Sequence, residues 1–236
     1  MFSESADLYD LIYSSFKDYS TEARQVAEII RREHPSARTV LDVACGTGEH
    51  ARLLIEHYGF DVDGLDLDPT FVRIASEKLP GTRVLRGDMT SFSIGRRYDA
   101  ILCLFSSIGY VRTLENVART LDCFRAHLAP GGVVLVEPWL PPGVLDPQRI
   151  GLNTAEGDGI RVARMSRIAV DGRMSRIHFE YLVGRNGAIE HFAEVHELAL
   201  FTREELLSVF AETGYTVSYD EAGPCGRGLY IARVAA

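Results

Sequence analysis

Lysine is nearly missing from this chain: of 25 basic residues only Lys17 and Lys78 are not arginine, against 33 acids and a net charge of −8. That balance disfavours nucleic acid or an anionic membrane surface as the main partner. Any anionic ligand must be gripped largely by guanidinium groups, whose planar forks match phosphate oxygens bidentately. Cysteine is sparse as well. Cys45, Cys103, Cys123 and Cys225 are scattered without a CxxC pair, so neither zinc nor a disulfide framework is expected. No apolar run reaches ~18 residues, and Met1-Phe-Ser-Glu-Ser lacks a basic stretch followed by an apolar one. A soluble, cytoplasmic protein is expected. His178, His191 and His196 are close in sequence, but His191 and His196 are an odd number apart and face opposite ways on a strand, so no metal is expected.

What is present organises around Thr39-Val-Leu-Asp-Val-Ala-Cys-Gly-Thr-Gly48. An apolar, β-branched run reads as a buried parallel strand, a glycine turn follows, and Ala51, Leu53, Leu54 and Ile55 begin a helix. Gly46 and Gly48 lack a Cβ, so a ligand can lie against the backbone. The pattern Gly46-x-Gly48-x-x-Ala51, with Asp66 ~20 residues further on, also satisfies a dinucleotide fingerprint. Asp42 tilts the choice. A carboxylate beside the cradle opposes a pyrophosphate but favours S-adenosylmethionine, which carries an ammonium and a sulfonium. The competing role for Asp42 is bracing the turn through backbone N–H groups.

At 236 residues, 46% hydrophobic and 25% charged, the chain fits one large globular domain, 1–236. Residues 4–33 read as two helices, the second over Thr21–Arg32. An aromatic patch between them (Tyr9, Tyr13, Phe16, Tyr19, with Lys17) serves as core staple or as a lid over a ligand, the lid spanning 1–33. Residues 38–138 alternate strand and helix as a parallel sheet requires. Within an insertion at 140–201, period-two alternation and the turns Asp171-Gly172 and Asn186-Gly187 predict three antiparallel strands near 160–170, 174–184 and 188–201. Thr202-x-x-Glu205 is a capping box opening a helix to Thr213, and 202–236 closes the chain with two further strands.

Ligands of open α/β sheets sit at the carboxyl ends of the strands. Asp66 there can accept two ribose hydroxyls, Asp88 can accept from an adenine amino group while Met89 packs on the ring, and Phe105 ends the fourth strand. DVACGTG (42–48), GLDLD (64–68), GDM (87–89) and LAPGG (128–132) together resemble a class I S-adenosylmethionine-dependent methyltransferase. That resemblance implies an α/β, Rossmann-like, seven-stranded sheet with a final antiparallel hairpin. A narrower resemblance spans nearly the whole chain. YDLIY (9–13), KDY (17–19), FSSIGY (105–110), VVLVEPW (133–139) and GPCGRGL (223–229) are similar to N-methyltransferases acting on dTDP-linked deoxyamino sugars in natural-product biosynthesis.

The resemblance implies that Tyr19, Ala44, Asp66, Asp88 and Met89 hold the cofactor. Asp42, Gly46, Gly48, Leu67 and Phe105 complete that expected set. Tyr13, Glu137, Trp139 and Arg227 are implied to face the sugar nucleotide. The place of Arg227 in the loop between the last two strands puts it on the diphosphate, with Arg164 or Arg176 from the insertion as second contacts, although a solvated strand face is the competing and slightly favoured place for Arg176. Some relatives have histidine where Tyr110 stands, so a histidine base at that position is not essential here. Some have glutamate where Asp66 stands, a change that keeps the role. The expected chemistry is direct transfer to a neutral amine, in which positioning dominates and Tyr110 orients the amine. O-methylation of the sugar and an NAD(P)-dependent sugar dehydrogenase are the alternative reactions, and a cofactor-binding regulatory module is the non-enzymatic one.

Overall fold

The structure is a computed structural model that describes residues 5–235. The chain enters through a 3-10 turn at Ala6–Leu8, then α1 (Tyr9–Tyr13) and α2 (Tyr19–Glu33). The first strand, β1 (Thr39–Val43), leads to α3 (Glu49–Tyr58), β2 (Asp61–Asp66), α4 (Pro69–Lys78), β3 (Val84–Arg86) and β4 (Tyr98–Cys103). A second 3-10 turn at Ser107–Val111 precedes α5 (Leu114–His127) and β5 (Leu128–Val136). Four strands follow, β6 (Ile150–Gly157), β7 (Ile160–Asp171), β8 (Met174–Arg185) and β9 (Ala188–Ala199). The chain ends with α6 (Arg203–Glu212), β10 (Tyr215–Asp220) and β11 (Leu229–Val234).

Seven strands form one sheet in the order β10-β11-β5-β4-β1-β2-β3. The first five run parallel, and β11 inserts antiparallel between β5 and β10. This is the α/β, Rossmann-like arrangement expected from the sequence. Because β1 neighbours both β2 and β4, the strand order reverses there, and the crevice at the carboxyl ends of β1 and β4 is the place for a ligand. Both sheet faces are covered. Val26, Ile30 and Leu54 pack on one side, and Leu121, Phe124 and Phe210 on the other. The capping box at the start of α6 is fully formed, with Thr202 and Glu205 satisfying each other's backbone N–H groups.

Two expectations are corrected. The insertion holds four antiparallel strands in the order β6-β7-β8-β9, not three. No residue of β6 is fully buried, and Ile150 and Leu152 point outward, so its sequence lacks the buried apolar period that marks a strand. The aromatic patch, expected between two helices over 4–33, is itself largely helical: Tyr9 to Tyr13 form α1, and Tyr19 opens α2. Asp18 caps α2 by accepting from the Thr21 N–H at 2.9 Å, which starts that helix two residues early. Residue 4 lies outside the described residues, as do the first four positions of the expected 1–33 lid. The inner face of the four-stranded sheet (Phe179, Tyr181, Val183) packs on Leu8 and Ile12, bringing the insertion over the crevice.

Candidate functional site

At the crevice the backbone is held in unusual conformations. Ala44 after β1, and Phe105 and Ser106 after β4, are non-glycine residues with φ of +58°, +51° and +67°. Each such position costs ~1–3 kcal/mol and persists only where its surroundings over-determine it. Glu137, following β5, supplies that constraint: its Oε2 accepts from the Phe105 N–H at 2.7 Å, and the Ser106 hydroxyl donates to the Pro138 carbonyl at 2.9 Å.

These turns border a cavity of about 590 Å³ and, beside it, a recess of about 50 Å³. The two share Tyr9, Ala44, Gly46, Phe105 and Ser107. Asp42 lies on the recess, 2% exposed, and its Oδ2 has no hydrogen-bond partner among the described residues. Burial pushes its carboxyl up to about 6, Asp66 adding to the effect while His50 and Lys17 oppose it. Tyr19 and Lys17 also line the recess. Lys17 is ion-paired with Glu22, which also meets His50 Nε2 at 2.9 Å, and its Nζ lies 4.3 Å and 4.4 Å from the Phe105 and Tyr19 ring centres. Although burial pushes the Glu22 carboxyl up, the hydrogen bond with His50 and the Lys17 charge bring it below its ordinary value.

The main cavity has an acidic wall built from Asp66, Leu67, Asp88 and Met89. Bracing of the glycine turn, the competing role for Asp42, falls to Asp66 instead. Asp66 Oδ2 accepts from the Gly46 N–H and Oδ1 from the Asp68 N–H, both at 2.9 Å. Burial raises the Asp66 carboxyl, and these two donors counteract it. A carboxylate has about four acceptor positions, so two hydroxyls can still be received. Asp88 Oδ1 accepts from the Thr90 N–H and hydroxyl at 2.8 Å.

The same cavity is lined by Tyr13, Tyr110, Trp139, Arg164 and Arg227. Arg227 reaches in from the loop between β10 and β11, its guanidinium 4.9 Å from the Phe105 ring centre and its Nη1 3.6 Å from Glu137 Oε1. Arg164 comes from β7 and is 4% exposed among the Tyr13 and Phe179 rings. Its Nη2 donates to Asn153 Oδ1 at 3.0 Å, while Nε and Nη1 have no acceptor among the described residues.

Three expected contacts are placed elsewhere. Gly48 lines neither space; with φ +78° it caps α3, and a Cβ there would meet Leu79 Cδ1 at 2.9 Å, so its role is helix packing. Glu137 is 1% exposed and sits behind the wall, supporting Phe105 and Arg227. Arg176 lies on the outer face of β8, paired with Glu197 at 2.8 Å and Asp171 at 3.6 Å, because its register parity opposes that of Phe179. Sequence reasoning missed Asn153, which sits on the unrecognised β6, and the buried pair Glu194 and His196. The signal for the latter was available: two polar residues share the parity of Leu198 on β9, the inner face.

The residues present fit S-adenosylmethionine. A buried, unpartnered carboxylate oxygen suits a cationic ligand and opposes a pyrophosphate, and a Cβ placed on Gly46 meets nothing within 4 Å, leaving open space over the backbone. A family model described as a methyltransferase domain matches residues 40–132. A dTDP-3-amino-3,6-dideoxy-alpha-D-glucopyranose N,N-dimethyltransferase of Streptomyces fradiae is 42% identical over 229 residues, 96% of this chain and 89% of that protein. The solved structure of DesVI from Streptomyces venezuelae matches with a TM-score of 0.93 at 38% identity, covering 99% of each chain. That of an S-adenosylmethionine-bound amino pentose methyltransferase from Micromonospora echinaspora, involved in calicheamicin biosynthesis, matches with a TM-score of 0.86 at 37% identity over 95% of each. The orphaned acid over an open glycine turn and this end-to-end likeness lead to one assignment: the chain belongs to the S-adenosylmethionine-dependent sugar N-methyltransferases.

Proposed function

We propose that this enzyme methylates the amino group of a dTDP-linked deoxyamino sugar, twice on the same nitrogen, as a cytoplasmic step of natural-product biosynthesis. One observation carries the substrate class: a single 590 Å³ cavity is lined both by Asp66 and Asp88 and by Arg164 and Arg227. An acidic wall suits the hydroxyls and amino group of an adenosyl cation, and paired guanidinium groups suit a diphosphate. The relatives' names supply the dTDP-amino sugar and the N,N-dimethyl outcome.

Bound S-adenosylmethionine supplies a methyl group already activated as a sulfonium, so the protein's task is placement. Asp42 and Tyr19 would hold the amino-acid end in the recess; Ala44 and Gly46 would cradle it; Asp66 and Asp88 would take the ribose and adenine. Phe105 lines both recess and cavity, and Glu137 fixes its backbone. Arg227 and Arg164 grip the diphosphate, Tyr13 and Trp139 flank the sugar, and Tyr110 orients the amine. Holding amine, methyl and sulfur in line supplies roughly 7–11 kcal/mol of the barrier. Burial in the cleft also shifts the amine toward its neutral, nucleophilic form, provided that a group can take the proton.

The test is mass spectrometry of products from a panel of dTDP-3-amino and dTDP-4-amino sugars. Methylated product from at least one member is expected; none from any member, with S-adenosylmethionine bound, contradicts the substrate class.

A further inference from the structure

Each methyl transfer to a neutral amine leaves an alkylammonium, and a second transfer to that nitrogen requires one N–H proton to depart first. The cavity is bordered by a group that can receive it. Tyr110 stands on the cavity wall, 36% exposed, with its hydroxyl 2.9 Å from His196 Nδ1. His196 is 1% exposed, and its Nε2 lies 3.6 Å from Glu194 Oε2. Glu194 in turn accepts from the Ser5 backbone N–H at 3.1 Å and from the Ser5 hydroxyl at 2.7 Å. A line of polar groups therefore runs from the cavity wall to a buried carboxylate.

The arrangement biases the tautomer. A carboxylate beside Nε2 favours the proton there, leaving Nδ1 as an acceptor toward the Tyr110 hydroxyl. A buried acid orients an imidazole and stabilises its cation in the same way in hydrolytic triads. Tyr110 by itself is a poor base, since burial lifts its phenol further above its ordinary range and keeps it protonated. With His196 behind it, Tyr110 never has to become a phenolate.

Resting on the sugar N-methylation reading, we propose that Tyr110, His196 and Glu194 form a proton relay that neutralises the monomethylated amine between the first and second transfers. The alkylammonium N–H proton passes to Tyr110 Oη while the Tyr110 hydroxyl proton passes to His196 Nδ1. The nitrogen regains its lone pair, Tyr110 ends as the phenol it began as, and His196 becomes an imidazolium with Nε2–H toward Glu194. No electrons change owner between molecules and no co-reactant is needed. Once the product has left, the proton returns to water through Tyr110, which is 36% exposed.

The discriminating variant is His196→Asn, whose amide keeps a hydrogen-bonding group near the Nδ1 position but cannot hold an added proton. With enzyme in excess over sugar nucleotide, the relay predicts calorimetric affinities for both ligands within about twofold of wild type and a first transfer within a few-fold. The second transfer should fall roughly 100-fold or more, so that monomethyl product accumulates. A folded His196→Asn enzyme that dimethylates at the wild-type rate overturns the relay. So does one that loses affinity or slows both transfers equally, which is the signature of a structural brace. If His196→Asn does not fold, Tyr110→Phe at the cavity wall reads the same step through the ratio of the two transfers: monomethyl accumulation supports the relay, whereas wild-type dimethylation or an equal slowing of both transfers, the mark of lost amine orientation alone, overturns it. A wild-type enzyme that stops at one methyl also overturns it, whereas one that methylates no amino sugar refutes the substrate reading itself.

Discussion

Asp42 concentrates the energetics of the site in one side chain. Raising a carboxyl from 3.8 to about 6 by burial corresponds to roughly 3 kcal/mol. The sign follows from linkage: a folded-state pKa above the unfolded one gives stability that is full below 3.8 and is lost as pH rises through about 6. Asp42→Asn removes that loss. Thermal melts of the ligand-free protein should show the variant gaining on wild type between pH 5 and pH 8, while its affinity for S-adenosylmethionine falls at pH 8. No gain at the higher pH would mean that Asp42 is not buried as an ion. The arginines make a second residue-scale prediction. Arg227→Ala and Arg164→Met should each raise KM for the sugar nucleotide about 10- to 100-fold, leaving S-adenosylmethionine affinity within about threefold, because each removes a charge-assisted contact to one ligand only. Asp42, Asp66 and Arg227 were legible because their chemistry is local to a motif. Asp66 bracing the turn that Asp42 was the candidate to brace was not legible, since the choice rests on which carboxylate lies within 2.9 Å of the Gly46 N–H.

At the scale of elements, the glycine turn divides into two functions that its sequence presents as one. Gly46 leaves room over the backbone, while Gly48 lets α3 approach α4. Gly48→Ala places a Cβ at φ +78° against Leu79 and Ala75, so a loss of about 1–3 kcal/mol is expected in denaturant melts. Gly46→Ala has the same backbone problem without the steric contact, and should lose less stability than Gly48→Ala. Equal losses would contradict the packing role. Strands β1, β4 and β5 were readable because buried parallel strands carry apolar runs and glycine or proline turns follow or precede them. The strand β6 was not readable, for its outward residues Ile150 and Leu152 are apolar and no residue of it is fully buried. That omission hid Asn153, and with it the partner that holds Arg164 in the cavity. Parity along β8 did separate Phe179 from Arg176, and the same rule on β9 assigns His196 to the inner face.

The whole molecule reads as a sheet that supplies a cofactor cradle and an inserted sheet that roofs it. The charges follow that division. The acids come from the ends of β1, β2 and β3, whereas Arg164 comes from the insertion and Arg227 from the closing hairpin. Motifs confined to the first part announce a methyltransferase; the substrate wall is assembled from Tyr13, Tyr110, Trp139, Arg164 and Arg227, spread over more than two hundred residues of chain. The register of the insertion places Arg164 among them, and the closing hairpin places Arg227. No helix among the described residues is long and apolar enough to cross a membrane. The central claim is that one cavity brings a sulfonium methyl to the nitrogen of a nucleotide-linked amino sugar. The most direct measurement supplies S-adenosylmethionine labelled at its methyl carbon together with a dTDP-amino sugar, and locates the label in the product by NMR. The account predicts label on the sugar nitrogen, with two labelled methyls at completion. Label on a sugar oxygen, or an unlabelled sugar nucleotide in the presence of bound cofactor, would contradict it.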